Sequence, residues 1–245
     1  MNRYNAIGYG QGNFAMDRYA GDAYGLGRTM GLSFDGVDDE VSCANVLNVG
    51  TSDFSIAADF YINISSYGTT QTFLSKGNSV TTEAGYVMMF APLSSIWLAR
   101  IANGTTSVSL SPADTAYRNR RNVYAAMVVS FTSNQFSFYL NGVVAATGAM
   151  TGITEITTTV PLLFGIRTSG VAGKFVMRKT EVWASTALSS SDVLTHYREG
   201  NVSGVTASWD YNGIIGTTLV DTVGGFNGTV SGATIVNFDN PTAKG

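Results

Sequence analysis

Hydrolysis of a glycosidic bond calls for two carboxyl groups held ~5–9 Å apart. Acids at alternate positions of one strand face would supply them, because side chains two apart share a face. The glutamates here are Glu40, Glu83, Glu155, Glu181 and Glu199, and none pairs at i+2 or i+4 with another acid on a clear strand. The contiguous Asp38-Asp39-Glu40 falls in a turn, where acids cap and solvate. A serine or cysteine nucleophile needs an imidazole base. The single histidine, His196, lies beside Tyr197 in a short helical pattern, where a packed or solvent-facing role fits better. The single cysteine, Cys43, sits in the alternating run Val41-Ser42-Cys43-Ala44 and reads as a small buried apolar residue. No His/Cys set stands at zinc spacing, and no Gly-rich loop leads from a strand into a helix to cradle phosphate. The sequence predicts a protein that is not an enzyme.

Binding chemistry has more candidates. Asp35, Asp38 and Asp39 crowd one loop, and calcium favours several carboxylate oxygens in a flexible loop. D-G and D-D pairs are also ordinary turn chemistry, and the spacing matches no defined calcium loop. The turn reading takes precedence; no cofactor is required, and calcium is the ion to test. Saccharide binding needs an aromatic platform with polar partners on loops. Trp97, Trp183 and Trp209 qualify by type, yet all lie in strand-like runs where core burial is the default, so no carbohydrate-binding residue is assigned. Arg118, Arg120 and Arg121 form the one basic cluster, to be read as a solvated turn or as a grip on an acidic partner. A net charge of −3 provides no field to draw nucleic acid or an anionic membrane.

These residues are carried by short alternating runs. Phe54 to Ile62, Gly85 to Phe90, Ile96 to Ile101, Tyr124 to Phe131 and Gln135 to Leu140 each alternate at period two, as half-buried strands do. Asn141-Gly142 closes the last of them with a two-residue hairpin signal, since both central positions of a type I′ turn need positive φ. Further runs follow at Leu162 to Ile166 and from Lys174 to Met177 through Glu181 to Ala184. One helix is predicted near 189–198: Ser189 to Asp192 offers an N-cap, and Gly200 ends the amphipathic turn. With 44% apolar and 13% charged residues, the expected fold is all-β. The strand-like runs occupy 31–240, with turns at spacings typical of sandwiches, behind an extended arm over 1–30. No stretch approaches the ~20 apolar residues of a membrane span, and the opening residues have no apolar core of a signal peptide.

The arm is internally doubled. The pattern R-Y-x-x-x-x-Y-G-x-G occurs at Arg3-Tyr4 to Gly12 and again at Arg18-Tyr19 to Gly27, an offset of 15. Glycine at this density makes the arm entropically costly to order by itself. Arg and Tyr, though, are the residues that carry hot spots when buried at interfaces. Arg3, Tyr4, Tyr9, Arg18, Tyr19 and Tyr24 are therefore predicted to dock on a partner or on neighbouring copies, against the alternative of a flexible low-complexity leader.

Several pieces, in order, resemble the laminin-G-like branch of the concanavalin-A-like lectin/glucanase superfamily. Leu32-Ser33-Phe34-Asp35-Gly36 resembles its opening strand and turn, Phe73 to Gly77 an early strand, and Phe138-Tyr139-Leu140-Asn141-Gly142 its central hairpin. Ala187 to Tyr197 is similar to its short closing helix, and Trp209-Asp210-Tyr211 through Gly225-Phe226-Asn227-Gly228 to a strand and loop common beside such domains. The family often has Trp where this chain has Val123-Tyr124, which marks a remodelled sandwich edge. The resemblance implies a two-sheet antiparallel jelly-roll β-sandwich over 31–240, a fold shared by sugar binders, hydrolases and structural modules, sometimes holding calcium. Enzymes of the superfamily carry an E-x-D-x-E strand, and none occurs here. Fold alone does not choose among these roles. The leading expectation is a non-catalytic virion structural protein of a bacteriophage: a capsid decoration, minor capsid or tail-associated protein. It would be assembled in the host cytoplasm, homo-oligomeric, anchored by its arm to virion proteins or its own copies, and able to contact host glycans. A free carbohydrate-binding lectin is the alternative, and a glycoside hydrolase the third.

Overall fold

The computed structural model describes residues 30–62, 70–77, 83–91, 96–113 and 122–237. In one layer β3 (Phe54–Ile62) lies between β8 (Asn122–Ser130) and β12 (Lys174–Trp183), with β9 (Gln135–Leu140) and β10 (Val143–Ala149) beyond β8. In the other, β2 (Glu40–Ser42) and β11 (Leu163–Phe164) lead outward through β4 (Gln71–Lys76), β5 (Gly85–Ala91), β6 (Ile96–Ala102) and β7 (Ser107–Leu110). β13 (Ala207–Ile215), β14 (Thr218–Asp221) and β15 (Gly228–Ser231) carry the ladder from β12 round to β2, and β1 (Met30–Asp35) pairs with both β12 and β16 (Thr234–Asn237). Every pairing among the described strands is antiparallel. The alternating runs are strands, and the result is the jelly-roll sandwich that the resemblance implies.

The interior is aromatic. Phe60 of β3 stacks on Phe73 of β4 with ring centroids 4.1 Å apart, and Phe175 and Trp97 close on Phe73 at 4.9 and 5.7 Å. Such pairs add ~0.5–1.5 kcal/mol each beyond the burial itself. Asn141 and Gly142 adopt φ of 50° and 77°, as a type I′ turn demands. The helix α1 (Ser190–Glu199) starts from a capping box between Ser189 and Asp192 and stops at Gly200 in the left-handed region.

Two expectations need correction. The runs at Phe54 to Ile62 and Gly85 to Phe90 alternate like half-buried strands, but β3 and β5 are buried on both faces. On β3 the reason is α1. The side chains facing away from the sandwich interior, Ala57 of β3 with Tyr124, Ala126 and Tyr139, form a second apolar cluster with Trp183, Leu188 and Val193. Ser55 fixes the lead into the helix, donating to Thr186 O and accepting from Leu188 N, both at 2.9 Å. On the other layer the 165–173 segment crosses β4: Gly165 N donates to Phe73 O, and Ser75 Oγ to Ile166 O. The second correction concerns Val123-Tyr124. They lie in β8, flanked by β3 and β9, and so sit inside a sheet and not at its edge.

Candidate functional site

Asp35 ends β1 and Asp39 precedes β2, so the β1–β2 turn presses the three predicted aspartates together. One carboxylate oxygen from each of Asp35, Asp38 and Asp39 lies within 4.8 Å of the others. Two of the three also do turn chemistry. Asp35 Oδ1 accepts from Val37 N at 2.8 Å, and the buried Asp39 accepts from Asp35 N at 2.7 Å through Oδ2. Gly232, at φ +74°, lets the β15–β16 turn close on this carboxylate, since a Cβ there would stand 2.2 Å from Asp39 Oδ1. The donors suit a hard cation, but calcium takes six to eight oxygens, and hydrogen bonding within the turn accounts for the geometry already.

A second polar group gathers where α1 covers β3, β8 and β12. His196 Nε2 lies 2.5 Å from Glu181 Oε2, and its Nδ1 lies 3.0 Å from Tyr124 Oη. Glu181 Oε1 pairs with Lys179 Nζ at 3.0 Å and accepts from Ser208 Oγ at 3.2 Å. Burial alone would push the Glu181 carboxyl up; the hydrogen bonds and charges of His196 and Lys179 outweigh it and hold the group below its ordinary value. Ala57, Ala58 and Asp59 of β3 line the same spot. Asp59 and Glu181 bring two acids to one face of adjacent strands, the arrangement that a glycosidase would need. They are only 3% and 6% exposed, and His196 only 2%. No sugar reaches them. The group ties the helix to the sheet.

The remaining candidates resolve individually. Trp97, Trp183 and Trp209 are all buried, and the indole N–H groups of Trp183 and Trp209 donate to Ser203 O and Phe226 O, so none is a platform. Cys43 is buried and its thiol is pushed up to about 12, chiefly by burial and then by Asp221, which leaves no nucleophile at neutral pH. Arg3, Tyr4, Tyr9, Arg18, Tyr19, Tyr24, Arg118, Arg120 and Arg121 lie outside the described residues. The Tyr124–His196–Glu181 group escapes sequence reasoning, since Tyr124 and His196 stand 72 positions apart. The alternation of Lys179 and Glu181 on one strand face is the only local trace of it.

Residues 35–194 match the family of the concanavalin A-like lectin/glucanases superfamily known as Laminin_G_3. Among solved structures, a candidate carbohydrate-binding protein from Bacteroides ovatus superposes with TM-score 0.65 at 16% identity, over 86% of this chain and 61% of that one. The chain thus spans about three fifths of that protein's length. A native heptameric SAP-like pentraxin from Limulus polyphemus gives 0.58 at 12% identity over 86% and 96% of the two chains. The CBM40 of the Ruminococcus gnavus IT-sialidase gives 0.55 at 15% over 69% and 98%. At these identities the likeness is one of fold. A search of curated protein sequences finds no significant match.

Proposed function

The chain belongs to the concanavalin A-like lectin/glucanases superfamily, and from that premise we propose that it is a non-catalytic glycan-binding module. The observation that carries the reading is the sealing of the acids. The one pair of carboxylates brought to a common face near an imidazole, Asp59 and Glu181, is buried beneath α1 and bound up in holding it. A hydrolase on this face would need that helix gone. Fold neighbours described as carbohydrate-binding support the same reading. The test is a glycan array probed with the full chain, with and without calcium, alongside polysaccharide turnover assays. Binding without turnover is expected. An array that stays blank in both conditions sinks the module, and turnover lost in Glu181→Gln would restore the enzyme.

The doubled Arg-Tyr motif of the arm favours a further statement about where the module works. It is seated on a bacteriophage particle as a capsid decoration, minor capsid or tail-associated protein, held by Arg3, Tyr4, Tyr9, Arg18, Tyr19 and Tyr24 against virion proteins or its own copies, with the sandwich facing host glycans. Support comes from interface chemistry alone. Deleting residues 1–29 should abolish co-purification with particles and self-association while leaving the melting temperature of the sandwich in place. Unchanged assembly would remove the anchoring role.

A further inference from the structure

β10 ends its layer. Among the described residues it pairs with β9 alone, and its seven residues are all exposed or half-exposed, Val143 by 58% and Val144 by 51%. β7 and β16, which also stand at a rim, have four residues each. Soluble proteins blunt long edges with charges or proline. Neither is present here, since the chain from Asn122 to Thr154 has no charged residue and no proline. A bulge between Val144 and Ala146 interrupts the edge near the hairpin tip, and residues 146–149 keep regular register. The arm has a run of matching character. Residues 4–16 also lack charge and proline, and in an extended segment Ile7 and Tyr9 share one face while Ala6, Gly8 and Gly10 share the other. The chain enters β1 at Met30, and β1 lies beyond β12 at the rim opposite β10.

We propose that residues 4–16 of one copy add as a further strand to the β10 edge of the next copy. The proposal rests on the anchoring role given to the arm and names its partner, a second copy, and its seat. A glycine-rich segment cannot hold an extended form alone, whereas a bare edge provides the backbone donors and acceptors that a strand needs. Main-chain hydrogen bonds supply the affinity, and a charge on either strand would have to be desolvated as they close; neither strand has one. Residues 17–29 lie between the added strand and β1 and span at most about 45 Å. An arm that starts at one rim is thereby placed to meet the opposite rim of a neighbour. The contact joins unlike surfaces, so copies assemble head to tail into a ring or a filament.

The test uses the full chain, with light scattering to read mass and hydrogen exchange to read the β10 amides. Wild type should be oligomeric, with the outward amides of β10 exchanging about tenfold or more slowly than exposed ones. Ile7→Pro with Gly8→Pro removes two adjacent N–H groups, one of which must face the edge in either register. That variant should be a monomer with fast β10 amides and a melting temperature within a few degrees of wild type. Val144→Lys with Ala149→Lys, both at exposed positions, should do the same from the other side. A monomeric wild type overturns the proposal, and slow β10 amides in that monomer would seat the arm on its own edge instead. An oligomer whose β10 amides stay fast, or that survives the two prolines, also overturns it. If deleting residues 1–29 dissolves that oligomer, the arm keeps its anchoring role without this edge; if it does not, anchoring to copies of the chain falls as well.

Discussion

His196 is engaged from both ring nitrogens, by Glu181 on one side and Tyr124 on the other, and its ring meets Trp183 edge-on at 5.0 Å. The pH behaviour of this group follows from Glu181, whose carboxyl is held below its ordinary range. A carboxylate that ionises more readily folded than unfolded contributes stability that is complete above the unfolded value, about 4.3, and is lost as pH falls through the folded value. Chemical denaturation of wild type should therefore weaken below about pH 4.3 more steeply than that of Glu181→Gln, and parallel curves would deny Glu181 this role. Lys76 carries the opposite sign. Its ammonium is fully buried and donates to two neutral oxygens, Asn45 Oδ1 and Val160 O, both at 2.9 Å. Burial brings it down to about 8. The folded state then binds fewer protons than the unfolded one, so the cost of burying the charge is full below about pH 8 and fades as pH rises toward the ordinary lysine value. Measured from pH 7 to 10, wild type should gain on the order of 1–3 kcal/mol relative to Lys76→Met. A constant difference between the two would place the ammonium in solvent.

At the scale of elements, α1 and the β9–β10 turn determine one another. Gly142 faces the helix so closely that a Cβ would come 2.8 Å from Tyr197 Cδ1 and 3.1 Å from Leu194 Cδ1, at a φ of +77°. Gly142→Ala should cost ~2–4 kcal/mol, the sum of backbone strain and overpacking, read as a lowered denaturation midpoint. A loss under ~1 kcal/mol would mean the helix slides freely. What is legible in advance divides along the same line. The Asn141-Gly142 turn, the Ser189 cap and the Gly200 stop are local backbone chemistry, and the strands reveal themselves by period two. The double burial of β3 was hidden, because Ala57 and Ala58 are as compatible with a solvated face as with a covered one. The meeting of Glu181 with His196 and Tyr124 was hidden for a different reason: it depends on where α1 lands, which no spacing in the sequence encodes. The aspartate turn was legible as a cluster, while its hydrogen bonds, which favour turn closure over ion binding, were not.

For the molecule as a whole, stability should not depend on a divalent ion. If the aspartate turn held calcium with a dissociation constant a hundredfold below the added concentration, the ion would stabilise the fold by about 2.7 kcal/mol. With the turn closed by its own backbone, millimolar calcium should leave the melting temperature unchanged, and a rise that Asp38→Asn abolishes would reinstate the ion. Among the described residues no helix is long and apolar enough to cross a membrane. The ladder itself has a plain architectural cost. The span shared with the family stops at residue 194, yet β13, β15 and β16, all beyond it, complete the pairing of β12, β2 and β1. Asp221 knots that last stretch, its carboxylate accepting from the backbone N–H groups of Ser208, Val223, Gly224 and Phe226. A fragment covering 30–194 would display bare strand edges and should pellet on expression, whereas 30–237 should not.

The same ordering bears on synthesis. A ribosome that has made the first 194 residues has produced a sheet still lacking the partners that β15, β13 and β16 give to β2, β12 and β1. Closure of the sandwich must wait for the final strands to leave the exit tunnel, so the nascent chain passes through a form with bare strand edges that chaperone supply should protect.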